Sequence, residues 1–188
     1  PASLCAAAAP DLSELSLEQL GDIEITSVAK KEQRLADAPA SIYVITREAI
    51  RRSGANTLAE VLRLAPNLQV ARINASQYAI SARGFNSSTA NKLLVLMDGR
   101  SIYSPLFSGV LWEMEGTLME DIERIEVIRG PGAALWGANA VNGVINIITR
   151  QARDTQGTLV AASTGTLERG SLALRHGGTL PGGHWRAW

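Results

Sequence analysis

The sequence is poor in the residues that most often announce chemistry. Cys5 is the single cysteine in 188 residues, which excludes an intrachain disulfide framework and any CxxC metal site. The two histidines, His176 and His184, stand apart in a strand-like tail. No nucleophile, base or ligand spacing forms around them, and the acidic pairs Glu113/Glu115 and Asp121/Glu123 read as helix-end and surface charge. The expectation is a chain that is not an enzyme and uses neither a metal nor a cofactor. Charge of one sign is missing too: 18 basic side chains balance 18 acidic ones, and no Lys/Arg cluster exceeds a pair. A phosphate backbone would demand a basic stripe, so no nucleic-acid partner is expected. Nor is there an apolar run near the roughly 18 residues of a membrane-spanning helix, although barrel strands, which alternate in segments of about ten, escape that test.

What is present concentrates in residues 121–150, DIERIEVIRGPGAALWGANAVNGVINIITR. In its first run Arg124, Glu126 and Ile128 alternate with Ile125, Val127 and Arg129, the period-two pattern of a half-buried strand. A second run covers 144–149. Between them, four glycines, Pro131 and the pair Asn142-Gly143 require tight turns. Gly130-Pro131-Gly132 after a strand suggests a phosphate loop, but the next glycine, Gly137, is outside GxGxxG spacing and no Lys-Ser/Thr pair follows. Further strands are expected at 42–45 and 93–97, with a turn at Asp98-Gly99. Thr46 is placed to cap a short helix over 47–52 that ends at Gly54. Thr57 with Glu60, and Thr117 with Glu120, fit capping boxes, and Pro66 stops the first of these two helices. Strands interleaved with short helices imply a small α+β domain with a mixed sheet.

The run ERIEVIRGPGAALWGANAVNGVINIIT closely resembles the signature that ends the plug domain of TonB-dependent outer-membrane receptors. Upstream blocks APASIYVITREAI (38–50), TLAEVLRLAP (57–66), ISARGFN (80–86) and LLVLMDGRSIY (93–103) follow in the family's order, so the resemblance spans roughly three quarters of the chain. It implies a plug that gates energy-coupled uptake of a scarce nutrient, an iron–siderophore complex or cobalamin, through a β-barrel in the outer membrane. The plug would face the periplasm. The alternative is a free-standing soluble periplasmic plug-like binding protein with no barrel.

On that resemblance the chain divides into a signal-peptide remnant (1–10), an exposed N-terminal segment (11–36), the plug (37–152) and the start of a truncated barrel (153–188). Leu4 stands where a lipobox would hold a small residue, which weakens acylation of Cys5. Within DIEITSVAKK (22–31), alternating β-branched side chains suit an extended strand whose open edge can recruit a foreign one. The family's TonB box therefore maps onto Ile23, Glu24, Ile25, Thr26, Ser27 and Val28, for TonB working with ExbB and ExbD; an ordinary first strand of the sheet is the other reading. The resemblance also assigns Arg83 and Arg129 to plug–barrel contact with carboxylates on the barrel wall, against the plainer reading of surface arginines at strand ends. The loops after Arg83 and Gly99 are long, polar and aromatic, and Phe85, Asn86, Tyr103, Phe107 and Trp112 are expected either to face a small-molecule ligand such as a metal chelate or to pack on the barrel wall. In 157–188, GTLVAAST and GSLALRHGG alternate apolar with small or polar residues, as the first barrel strands would, or as a soluble hairpin would.

Overall fold

A computed structural model describes residues 24–25, 33–34, 41–130, 136–137, 139–166 and 169–188. The leader remnant expected at 1–10 and four of the six TonB-box positions, Ile23, Thr26, Ser27 and Val28, lie outside the described residues. A two-residue pair, β1 (Glu24–Ile25) and β2 (Gln33–Arg34), precedes the domain. The centre is a five-stranded mixed sheet in the order β3 (Ser41–Thr46), β8 (Ile122–Arg129), β9 (Gly143–Thr149), β6 (Leu93–Met97), β7 (Arg100–Ser101). Every neighbouring pair is antiparallel except β6–β9. A separate hairpin, β4 (Leu68–Arg72) and β5 (Tyr78–Ala82), lies between the helices and β6 in sequence.

Local chemistry sets the boundaries. The helix α1 (Arg47–Ser53) begins where the Thr46 hydroxyl accepts from the Ala49 amide, and stops at Gly54 in the left-handed conformation. The Thr57 hydroxyl likewise accepts from the Glu60 amide to open α2 (Leu58–Val61), which tightens into a 3-10 turn before Pro66. Asp98 and Gly99, both at positive φ (49° and 79°), form the two-residue turn between β6 and β7. Its geometry matches the twist of antiparallel strands. Asp98 then reaches sideways: its carboxylate accepts from the Thr149 amide and hydroxyl, both at 2.8 Å, tying the turn to the end of β9.

One face of the sheet, carrying Ile45, Val95, Ile125, Val127, Ile145 and Ile147, packs with Ile50, Leu58, Val61, Leu62 and Ile80 in the main core. The opposite face holds a smaller cluster of Leu94, Leu96, Ile128, Ala140 and Val144, flanked by Ile42 and Trp136. The half-buried strand expected at 124–128 is therefore covered on both sides. Even Glu126 is fully buried, with Arg124 donating to it at 2.8 Å, since a buried carboxylate needs a charged or hydrogen-bonded partner. The helix expected at Thr117 is also replaced. Thr117 donates instead to the Met97 sulfur, and a 3-10 turn, Met119–Asp121, leads straight into β8 without a side-chain cap.

After a 3-10 turn (Ala152–Asp154), three antiparallel strands follow: β10 (Gly157–Ser163), β11 (Ser171–Leu180) and β12 (Gly183–Ala187). Register places Leu159, Ala161, Ala173, Arg175, Gly177 and Arg186 on one face, and every one is buried or half-buried. Val160, Leu172, Leu174, Leu180 and Trp185 are on the other face and are exposed. No helix among the described residues is long and apolar enough to cross a membrane.

Candidate functional site

Because β3, β6 and β9 run in one direction and β8 against them, the sheet has two chemically different ends. At one, Leu93, Gly143, Arg129 and Ser41 come together. Here the loops 84–92 and 102–111 emerge, and they touch: a Cβ on Gly109 would come within 2.7 Å of the Thr89 Cα, so only glycine allows the two backbones this close. Ser104 and Gly109 bridge backbone to backbone, throwing out the tip 105–108.

Both arginines singled out in the sequence lie at this loop end. Arg83 follows β5 at φ 59°, exposed, with its Nη2 3.8 Å from the position of a Gly130 Cβ. Arg129 ends β8, half-buried, its guanidinium carbon 6.0 Å from the centre of the Tyr43 ring. Its Nε is buried without a hydrogen-bond partner, and neither arginine has a carboxylate among the described residues. A buried guanidinium nitrogen with no acceptor is costly.

The aromatic candidates separate. Phe85 is 86% exposed at φ 57°, and Phe107 is 52% exposed. Tyr103 is half-buried, as is Asn86, whose Oδ1 is buried and unpartnered. Trp112, expected in a ligand- or wall-facing loop, is 7% exposed and belongs to the main core, because the 3-10 turn Trp112–Met114 turns its indole inward and leaves Met114 outside. Leu106, passed over in the sequence, is 82% exposed at the loop tip.

The other end of the sheet carries the feature that sequence reasoning missed. Asp121, expected as surface charge, is buried and ion-paired to Arg175 of β11, with Arg186 of β12 at 3.9 Å from its second oxygen. Arg186 also donates to the Arg150 carbonyl at 2.5 Å and to the Thr149 hydroxyl at 2.9 Å. Gly177 seats the same strand, since a Cβ there would meet the Thr155 carbonyl oxygen at 2.4 Å. One signal in the sequence could have pointed here: Arg175 alternates with Leu174 and His176, so it faces the other way from the leucines. Beside this clasp a cleft of about 590 Å³ is lined by Asp98, Arg100, Glu115 and Trp188 among others. Burial raises the Glu115 carboxyl above its ordinary range, against the pull of Arg100.

Of the N-terminal candidates, Glu24 and Ile25 pair with Arg34 and Gln33, and Ile25 is fully buried. One edge of this strand is thus paired within the chain, and its other edge has no strand partner among the described residues.

Residues 34–144 match the family model described as the TonB-dependent Receptor Plug Domain. The vitamin B12 transporter of Vibrio vulnificus is 35% identical over 79% of this chain and 24% of its own length. The ferric enterobactin receptor PirA of Pseudomonas aeruginosa is also 35% identical, over 74% of this chain and 20% of its own. The chain thus spans about a quarter or less of these curated relatives. Among solved structures, the ferric-catecholate import receptor Fiu of E. coli aligns with a TM-score of 0.60 at 26% identity, covering 84% of this chain and 22% of that one. The pyoverdine receptor FpvA of Pseudomonas aeruginosa aligns at 0.65 and 23% identity over 85% and 22%, a likeness of fold.

Proposed function

The chain belongs to the plug-domain family of TonB-dependent receptors, and from that premise we propose that it is the movable stopper of an outer-membrane importer, joined to the first strands of its own barrel. One observation carries this reading. A three-stranded sheet grips the plug through Arg175 and Arg186 on one face, while its other face is exposed and apolar. Large apolar side chains outward, with two arginines among small residues and Leu159 inward, form an alternation suited to a strand between lumen and lipid. A free-standing soluble plug would instead hold Val160, Leu172, Leu174 and Leu180 in water.

On this reading residues 153–188 open the barrel, the plug 37–152 faces the periplasm inside it, and Arg83 and Arg129 meet carboxylates of the barrel wall. The orphaned Nε of Arg129 supports that contact. The ligand is an iron–siderophore complex or cobalamin, met by Phe85, Asn86, Tyr103 and Phe107 at the loop end. Supply of force falls to TonB with ExbB and ExbD, by strand addition to 23–28. Ile25 is buried and pairs with Gln33, so strand addition there competes with or extends that pairing. No step of this cycle is enzymatic.

The test is Ile25→Pro in the intact receptor. Proline removes a backbone donor and blocks strand pairing. The expected result is ligand binding at the wild-type level with uptake abolished; uptake at the wild-type rate would sink the assignment.

A further inference from the structure

Both feet of the loop 83–92 rest on one residue. The loop leaves β5 after Ala82 and re-enters the central sheet at Leu93. Asn142, which directly precedes β9, reaches both ends. Its side-chain amide donates to the Ala82 carbonyl at 2.9 Å, and its backbone amide donates to the Lys92 carbonyl at 2.8 Å. A carbonyl can only accept, so the first contact needs a nitrogen donor and is closed to an ionised carboxylate. The place of Asn142 is itself fixed. A Cβ on the next residue, Gly143, would come within 2.6 Å of the Ile128 carbonyl oxygen, so only glycine lets β9 start this close to β8.

The loop that starts from this clamp is strained. Arg83, Gly84 and Phe85 are three consecutive residues at positive φ (59°, 90° and 57°), and Arg83 and Phe85 are two of the four non-glycine residues in that region among those described. Such backbone persists only where its surroundings over-determine it. On one side Thr89 lies against the backbone of Gly109; on the other, Asn142 holds the carbonyl from which the left-handed run begins. We propose that Asn142 is a positioning residue. It touches no cargo, but it fixes the loop in the shape that displays Phe85 and Asn86, so that the loop is ordered before a ligand arrives and less freedom is lost on binding. The inference rests on the reading of this loop as ligand-facing.

The experiment compares the wild type with Asn142→Ala, Asn142→Asp and Asn142→His in the intact receptor. Aspartate keeps the size of the side chain and loses the donor. Histidine restores one, because its Nδ1 stands as many bonds from Cα as the amide nitrogen does. A nitroxide at Ser88→Cys, an exposed position of the loop, reads mobility by electron paramagnetic resonance, and a second at Ile73→Cys, beside the β4–β5 hairpin, is the control. Binding of cyanocobalamin and of ferric enterobactin reads the consequence. Expected for alanine and aspartate are loss of the immobilised signal at Ser88 with none at Ile73. Affinity for whichever compound the wild type binds should weaken about tenfold through slower association, and histidine should return it to within about threefold. An unchanged Ser88 signal would overturn the proposal, as would a loosened loop with unchanged affinity. Equal loosening at Ser88 and Ile73 would also overturn it, by making Asn142 a support of the fold at large. Binding of neither compound by the wild type would count against the ligand reading instead, and the Ser88 signal would still decide the clamp.

Discussion

The two ends of the central sheet handle buried charge differently. At the clasp end Asp121 is removed from water and answered by Arg175 and Arg186, both supplied by the strands that follow the plug. At the loop end the Arg129 Nε is buried without a hydrogen-bond partner among the described residues, and neither Arg129 nor Arg83 beside it has a carboxylate there. Both ends leave buried polar atoms without a hydrogen-bond partner, Asp121 Oδ2 and Arg175 Nε at the clasp and Arg129 Nε at the loop end, but the clasp alone of the two has its ion pair among the described residues. A domain with a buried ion pair at one end and none among the described residues at the other should differ in local stability across it.

The sharpest way to break the contrast is Asp121→Ala. Arg175 would be left buried without an anion, and plug stability in the intact receptor should fall by about 3–5 kcal/mol, seen as faster hydrogen exchange in the amides of 122–129. Replacing both partners, Asp121→Leu with Arg175→Met, should restore most of it, because apolar groups of similar size need no counter-charge. No change on Asp121→Ala would mean that the clasp is a surface contact of little consequence. Arg129→Met probes the opposite end. If the barrel wall answers Arg129, this change costs about 1–2 kcal/mol, read as loss of protection in 41–46; without such a partner the substitution is neutral or mildly stabilising. The smallest effect expected is on pH dependence. Because Glu115 has its pKa raised by burial, the native state holds that proton more tightly than the unfolded one. Its contribution to stability therefore falls as pH rises from the ordinary carboxylate range through the raised value. Glu115→Gln should flatten that slope in a series of denaturant midpoints, and an unchanged slope would assign the pH dependence elsewhere.

Much of the fold was legible because its boundaries rest on local chemistry. Thr46 and Gly54 frame α1, Thr57 opens α2, and Asp98-Gly99 turns β6 into β7, each through a hydrogen bond or a φ value that few other residues supply. The ordered blocks then carried the family. Thr117 misled because a capping box is a local pattern, and here a sulfur 20 residues upstream took its hydroxyl. Trp112 misled for a related reason: in a loop of mixed polar and aromatic residues, sequence does not say which way a 3-10 turn rotates its side chains. Asp121 was the costliest omission. Its partner Arg175 is 54 residues away, and nothing in the spacing of either announces a pair that only the docking of two sheets creates.

One consequence of the strand order concerns mechanics. β3 is an edge strand, joined to the sheet through β8 alone, and its first residue, Ser41, pairs with Arg129 at the loop end. A pull on the preceding chain toward the clasp end would double that strand back on itself and load its hydrogen bonds one at a time, as a zipper opens, instead of shearing all of them together. The first rung to part would be Ser41–Arg129, so such a pull would be felt first at the end of the sheet that carries the loops.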